Sequence, residues 1–137
     1  MVKSNELRLG NLLYFNPNLF EGQKNKIVEI ETINKNFVTD TTNKNSVIGG
    51  YENYQPIKLN EEWLKKFGFN YFKHESPLNT KLYADESWDF CVLKEDKAFF
   101  YAEQENEDSL YFTVKWIRHV HQLQNLYFAL TGEEINE

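Results

Sequence analysis

Two histidines near the carboxyl end of the chain, His119 and His121, carry the most versatile chemistry in the sequence. Imidazoles two positions apart share a face on a strand and could hold a metal there, but on a helix they point about 200° apart. The stretch is predicted to be helical, and no H-E-x-x-H frame accompanies it. We therefore predict no metal site, with His119 near the surface and His121 partly buried and hydrogen-bonded. A small hydrolase that pairs a histidine with a carboxylate stays as an alternative.

A second candidate site is one flank of the predicted C-terminal helix. His121, Gln124 and Phe128 recur there at three-, four- and seven-residue spacing, beside the cationic Arg118. An aromatic ring, amides and a cation together suit a planar polar ligand, which they can stack on and hydrogen-bond. The alternative is that Phe128 packs under a loop while the amides are solvated. With two lysines as phosphate contacts, the candidate ligand-binding residues are Arg118, His121, Gln124, Phe128, Lys24 and Lys26.

Other side chains with chemical potential have simpler interpretations. Cys91 is the single cysteine, lies in an aromatic stretch and is expected to behave as a small buried hydrophobe. The acidic stretch from Glu103 to Asp108 lacks the spacing and the glycine of a calcium loop. We find no G-x-S-x-G, Walker or G-x-G-x-x-G motif. The sequence therefore predicts no catalytic residue and no cofactor, and an enzyme is the less favoured class.

The composition limits the classes of partner. The chain has 137 residues, a net charge of -6 and 16% aromatic residues. Its negative charge disfavours general binding to nucleic acid or to an anionic membrane. No signal peptide is apparent, and no apolar run approaches the ~20 residues that span a bilayer. We expect a cytoplasmic protein, in a host cell if the gene is phage-borne.

The first half of the chain is predicted to form a bent antiparallel sheet, similar to a small barrel. Strands are expected over Leu7 to Phe15, with a bend at Gly10, and over Lys26 to Ile33, which alternates apolar and acidic residues. Short strands follow at Phe37 to Thr39 and at Tyr51 to Lys58, where Pro56 indicates an edge.

A short connecting helix is predicted after Asn60. Asn60 is a good N-cap, and Glu61 and Glu62 favour the positive end of the helix dipole. Gly68 is expected to end the helix in the left-handed conformation.

The remainder is predicted to be an antiparallel meander packed by the C-terminal helix. Strands are expected at Phe69 to Lys73, Lys81 to Ala84, Trp88 to Lys94, Lys97 to Glu103 and Leu110 to Trp116. Periodic residues of the final helix, which ends at Gly132, are expected to face the core: Val120, Leu123, Leu126, Tyr127 and Leu130. The three tryptophans are expected to anchor the core. The fold class is thus α+β, a single domain over 1–137 with a β half (1–58), the connecting helix (59–68) and the meander with its helix (69–137).

Three blocks of sequence resemble a known group of proteins. They are N-E-L-R-L-G-N-L at Asn5 to Leu12, P-I-K-L-N-E-E-W-L-K-K-F-G-F at Pro56 to Phe69, and H-V-H-Q-L-Q-N-L-Y-F-A-L-T-G-E-E from His119. In this order they resemble a family of small uncharacterised proteins from phages and prophages of Bacteroidetes-type bacteria. The resemblance implies a phage accessory role and brings no catalytic residues with it.

The leading functional hypothesis is a non-catalytic phage-type binding protein, a counter-defence factor that sequesters a nucleotide-like immune signal. The alternative is an inhibitor or adaptor of a host protein that uses exposed aromatic residues such as Tyr14, Phe20 or Tyr51. A homodimer that places one helix against its copy fits either hypothesis, because an isologous interface needs one self-complementary patch.

Overall fold

The protein has the predicted α+β architecture, with two antiparallel sheets and a C-terminal helix. The computed structural model describes residues 2–15, 26–34, 38–41, 53–72, 80–104 and 111–137. The chain divides into two compact units, one of 1–58 with 119–125 and the other of 59–118 with 126–137.

The first unit contains a four-stranded sheet in the order β3-β2-β1-β4. Its strands are β1 (Leu12–Phe15), β2 (Lys26–Ile33), β3 (Val38–Asp40) and β4 (Tyr54–Gln55). β2 has the predicted bounds, and its buried Val28 and Ile30 alternate with exposed Glu29 and Glu31. This alternation places one face of the sheet in a core, whose buried members are Val2, Leu7, Leu13, Phe15, Val28, Ile30, Val38 and Tyr54.

The first strand is shorter than predicted, because the chain turns before it. Gly10 has a φ of +84°, a left-handed conformation that glycine adopts without steric cost. The Asn11 side chain closes the turn by accepting a hydrogen bond from the Arg8 amide at 2.8 Å. The predicted strand over Leu7 to Phe15 is therefore wrong before Leu12, although the predicted bend at Gly10 is confirmed.

The second unit begins with helix α1 (Glu61–Lys66), and its local signals are confirmed. The Asn60 side chain caps the helix by accepting a hydrogen bond from the Trp63 amide at 3.0 Å. Gly68 ends the helix with a φ of +84°. A helix this short is marginal alone, so the burial of Trp63 and Leu64 must stabilise it.

Removal of the α1 cap gives a first testable prediction. Asn60→Ala is expected to lower the free energy of unfolding by about 1 kcal/mol, because the Trp63 amide loses its acceptor. Asn60→Asp retains that acceptor and serves as the matched control. Urea denaturation of the three proteins measures the difference, and an Asn60→Ala midpoint equal to that of Asn60→Asp would contradict the role of the cap.

The second unit continues as a five-stranded meander in the order β5-β6-β7-β8-β9. Its strands are β5 (Asn70–Phe72), β6 (Thr80–Ala84), β7 (Cys91–Glu95), β8 (Ala98–Gln104) and β9 (Tyr111–Ile117). β7 and β8 form a hairpin in which Glu95 pairs with Ala98. The turn is therefore Asp96-Lys97, one residue beyond the predicted Glu95-Asp96, and Asp96 takes a φ of +55°.

A bulge interrupts the pairing of β8 with β9. Lys115 pairs with Tyr101 and Thr113 pairs with Ala102, so Val114 is an extra residue in β9. Phe112, Val114 and Trp116 are 46%, 52% and 50% exposed. The prediction that Trp116 anchors the core is therefore wrong.

Trp88 also departs from its predicted place in a strand. It has a φ of +62°, and residues 88–90 form a bend that precedes β7. Asp85 holds this loop, because one of its carboxylate oxygens accepts a hydrogen bond from the Phe90 amide and the other accepts from Ser87. The Trp88 side chain is 46% exposed, so it is not the predicted core anchor, whereas Trp63 is buried as predicted.

Helix α2 (Val120–Thr131) carries the predicted buried stripe only in part. Val120, Leu123 and Tyr127 are buried, but Leu130 is 51% exposed. Gly132 ends the helix with a φ of +75° and donates its amide to the Phe128 carbonyl. Among the described helices, none is both long and apolar enough to cross a bilayer.

Candidate functional site

A cavity of the second unit with charged residues in its lining lies beside α1, and we call it the α1 cavity. Its volume is about 400 Å³, within the range of small-molecule pockets. Helix α1 and the neighbouring strands β5 and β6 supply its walls. The lining residues are Glu61, Glu62, Lys65, Phe69, Asn70, Tyr71, Lys81 and Tyr83.

Glu61 is the electrostatic centre of this cavity. Its carboxylate accepts hydrogen bonds from Lys94 and from the Tyr83 hydroxyl, and it lies 3.5 Å from the Lys81 ammonium. The hydrogen bond from Lys94, followed by that from Tyr83, lowers the pKa of Glu61 to about 2. Glu61 is therefore ionised at neutral pH and fixed by groups from both β6 and β7.

The Tyr83 hydroxyl donates a hydrogen bond that orients the Glu61 carboxylate. The residue is buried, and burial together with this hydrogen bond raises the pKa of Tyr83. A general acid or base works best when its pKa lies near the operating pH. The pKa of Glu61 is shifted below neutral pH and that of Tyr83 is shifted further above it. The pair is therefore suited to keeping a negative charge on Glu61 in a fixed position, and less suited to proton transfer.

Tyr71 supplies an accessible aromatic surface. It pairs with Tyr83 across β5 and β6, with ring centroids 5.7 Å apart, yet it is 55% exposed. The Lys81 ammonium lies 5.9 Å from the Tyr71 ring centroid. Such an exposed ring can stack on a planar group of a ligand while the neighbouring ammonium contacts an anionic group of the same ligand.

A second cavity of the same unit, of about 500 Å³, lies near Cys91. Burial raises the pKa of the Cys91 thiol to about 11. Cys91 is buried, as predicted, and its raised pKa disfavours the thiolate, which is the reactive form.

The histidine pair belongs to the first unit and differs from its predicted arrangement. His119 precedes α2, so the two rings stack, with centroids 5.7 Å and planes 9° apart. His121 is 1% exposed, and neither of its ring nitrogens has a hydrogen-bond partner in the described structure. The prediction of a partly buried, hydrogen-bonded His121 is therefore wrong on both points.

The His121 imidazole is buried in a site that disfavours its protonated form. Burial, followed by the nearby His119, lowers the pKa of His121 to about 4. Across the described residues no group of three or more histidine, cysteine or acidic side chains could hold a metal ion.

Gln124, predicted as a ligand residue, joins α2 to the turn before β1. Its side-chain oxygen accepts a hydrogen bond from the Leu12 amide at 2.9 Å, and its side-chain nitrogen donates to the Gly10 carbonyl at 3.1 Å. Asn125 adds bonds to the Asn11 side chain and the Glu6 carbonyl. These amides provide hydrogen-bond partners for backbone groups of this turn and of the residues beside it.

The other predicted ligand residues belong to both units or lie outside the described residues. In the second unit, the Arg118 guanidinium lies 3.7 Å from the Trp116 ring centroid, and Phe128 is 37% exposed. Lys26, in the first unit, is exposed at the start of β2. Lys24, Phe20 and Tyr51 lie outside the described residues, and Tyr14 is half-buried.

The α1 cavity itself was not predicted from the sequence. Its polar side chains come from α1, β5 and β6, and the strand register brings Tyr71 opposite Tyr83. The sequence did contain one signal of this cavity. Lys81 and Tyr83 alternate in a predicted strand, so they share one face of the sheet, and the helix before that strand begins with Glu61 and Glu62.

Comparison with known proteins gives no relative from which a function could be transferred. No family model, curated protein or solved structure matches this chain.

Proposed function

We propose that this protein is a non-catalytic binding protein whose α1 cavity takes a small, planar, anionic ligand of the nucleotide type. The observation that carries the proposal is the exposed Tyr71 ring beside Lys81 at the mouth of the cavity. Stacking on Tyr71 would place the anionic part of the ligand near Lys81 and Lys65, which also lines the cavity.

The charges around Glu61 allow Lys81 to leave this carboxylate and bind an anionic ligand. The Lys81 side chain is 49% exposed and its contact with Glu61 is long, so a ligand anion can recruit it. Lys94 and Tyr83 keep Glu61 compensated when Lys81 turns away. The proposal fits the phage accessory role implied by the resemblance, in which capture of an immune signal counters a host defence.

Ligand binding is tested by thermal shift with nucleotides, cyclic oligonucleotides and NAD-derived metabolites. Saturation at ~100 times the dissociation constant stabilises the fold by about 2.7 kcal/mol, enough to raise the Tm by several degrees. Chromatography of the recovered ligand then distinguishes capture, which leaves it intact, from turnover.

Variants locate the binding site of any ligand that the panel identifies. Tyr71→Ala and Lys81→Ala are each expected to weaken binding about fivefold to thirtyfold, because they remove the stacking ring or the cation. Phe112→Ala and Lys97→Ala remove an equally exposed ring and cation elsewhere and should bind normally. Affinity lost only in Arg118→Ala and Phe128→Ala would restore the helix-flank site, and an unshifted panel would contradict nucleotide binding.

The second candidate function is an inhibitor or adaptor of a host protein. Three exposed apolar side chains on β9, Phe112, Val114 and Trp116, favour it. Scattered apolar residues are ordinary on surfaces, but three within five residues of one strand are typical of interaction sites. Capture from host lysate by the wild type and not by a Phe112→Ser, Trp116→Ser variant would support this function.

A further inference from the structure

The cavity near Cys91 differs in charge from the α1 cavity, because the α1 cavity has two lysines beside its two carboxylates and the charged residues in the described lining of this one are only carboxylates. It lies by the loop before β7, the end of β8 and the start of β9, and we call it the β7–β9 cavity. Its volume is about 500 Å³. The lining residues are Trp88, Asp89, Cys91, Tyr101, Ala102, Glu103, Gln104 and Tyr111.

Small side chains leave room for this cavity on the sheet. Ala84, Cys91 and Ala102 pair in register across β6, β7 and β8, so one row of the sheet carries only short side chains. Trp88 and Tyr111 are large residues beside that row. Tyr111 is half-buried and packs against the same apolar cluster as Cys91.

Trp88 is held at this cavity by an unusual backbone. Its φ of +62° is a conformation that bulky residues rarely adopt, and such strain often accompanies binding sites. The Trp88 and Phe72 rings are in contact, with centroids 4.2 Å apart, and Asp85 fixes the loop from beneath. The indole is nevertheless 46% exposed, so one of its surfaces is open to a ligand.

The charge of the lining selects the class of ligand. Asp89 and Glu103 contribute two carboxylates, and the described lining contains no lysine or arginine. Glu103 is positioned by the Tyr101 hydroxyl, which donates a hydrogen bond to it at 2.8 Å. Aromatic faces with nearby carboxylates attract a weakly hydrated cation, such as a methylated ammonium group.

We propose that the β7–β9 cavity binds a methylated organic ammonium group, with Trp88 and Tyr111 as aromatic walls and Asp89 and Glu103 as counter-charges. This site is separate from the α1 cavity and does not depend on the function proposed for it. A trimethylammonium group can belong to a free metabolite or to a modified lysine, and both present the same chemistry to the cavity.

Isothermal titration calorimetry with choline tests the proposal, with 3,3-dimethyl-1-butanol as the neutral isostere of the same shape. Choline is expected to bind at least about tenfold more tightly than the isostere, since only choline has the charge. A parallel titration with Nε-trimethyllysine distinguishes the two sources of the ammonium group. Tighter binding of choline favours a free metabolite, and tighter binding of Nε-trimethyllysine favours a modified lysine. Equal binding of choline and its isostere, or no binding of either cation, would overturn the proposal.

Variants attribute the binding to the named residues. Trp88→Gly removes the indole and suits the positive φ, so the protein should fold while choline binds about fivefold to thirtyfold more weakly. Asp89→Asn with Glu103→Gln should abolish the preference for choline over its isostere. Trp116→Ala and Asp96→Asn are the matched aromatic and charge controls, and a choline affinity that fell equally in them would contradict the site.

Discussion

Acidification from pH 7 is expected to lower the free energy of unfolding by about 2 kcal/mol at pH 5 and about 3 kcal/mol at pH 4, through His121 alone. The folded pKa of about 4 lies below the ordinary value of 6.5, so the unfolded chain binds the proton more readily. The contribution is therefore complete above pH 6.5 and is lost as the pH falls towards 4.

The physical cause is the burial of an imidazole whose ring nitrogens have no hydrogen-bond partner among the described residues. His121 is 1% exposed, and a proton on its ring would be desolvated and would face the imidazole of His119. Glu6 is the nearby group that opposes the shift, but its effect is smaller than those of burial and His119.

The matched variant is His121→Leu, which removes both the titration and two unpaired ring nitrogens. It is expected to flatten the stability profile between pH 7 and pH 5 and to stabilise the protein by about 1–2 kcal/mol at pH 7. Urea denaturation at intervals of pH measures both effects, with His119→Gln expected to retain a reduced slope. A His121→Leu profile as steep as that of the wild type would assign the acid sensitivity to other groups.

Gln124→Leu is expected to lower the free energy of unfolding by about 2–5 kcal/mol. Gln124 is 3% exposed, and its loss leaves the Leu12 amide and the Gly10 carbonyl without their partners. Each buried unpaired group costs about 1–3 kcal/mol, and leucine can replace neither hydrogen bond.

Two further substitutions grade this effect. Gln124→Glu retains the acceptor for Leu12 but places a buried carboxylate oxygen against the Gly10 carbonyl, so at neutral pH it should cost at least as much as Gln124→Leu. Gln122→Leu removes a half-buried amide that accepts a hydrogen bond from the His119 amide at 3.2 Å, and should cost about 1 kcal/mol. A Gln124→Leu protein of wild-type stability that had lost only ligand affinity would instead support the predicted ligand-binding role.

Elements that depend on neighbouring residues were predictable from the sequence. In α1 the cap, the acidic first turn and the terminal glycine all act within a few residues, and each local signal agrees with the others. β2 was equally clear, because burial of one face imposes strict alternation on its side chains.

Predictions failed where one backbone conformation changed the course of the chain. The positive φ of Trp88 ends the extended run before β7, although bulky aromatic residues favour strands. The two histidines stack because α2 begins only at Val120, so His119 does not follow the helical spacing assumed for it. Because the helix begins after His119, the two imidazoles lie side by side and do not point apart as helical spacing predicts.

The sites could not be predicted, because register and topology assemble them. Tyr71 meets Tyr83 through strand pairing, and Lys94 reaches Glu61 from a third strand. On the helix flank that looked suited to a ligand, the Gln124 amide pairs with backbone groups more than a hundred positions away. Amides that serve a distant turn are indistinguishable in sequence from amides that serve a ligand.

The bulge at Val114 has a consequence for solubility. β9 is an outer strand of its sheet, and a long, flat, apolar outer strand invites the same strand of another molecule to pair with it. The extra residue twists β9 locally and breaks the even spacing that continuous pairing between molecules requires. Deletion of Val114 is therefore expected to straighten that edge and to make pairing between molecules easier.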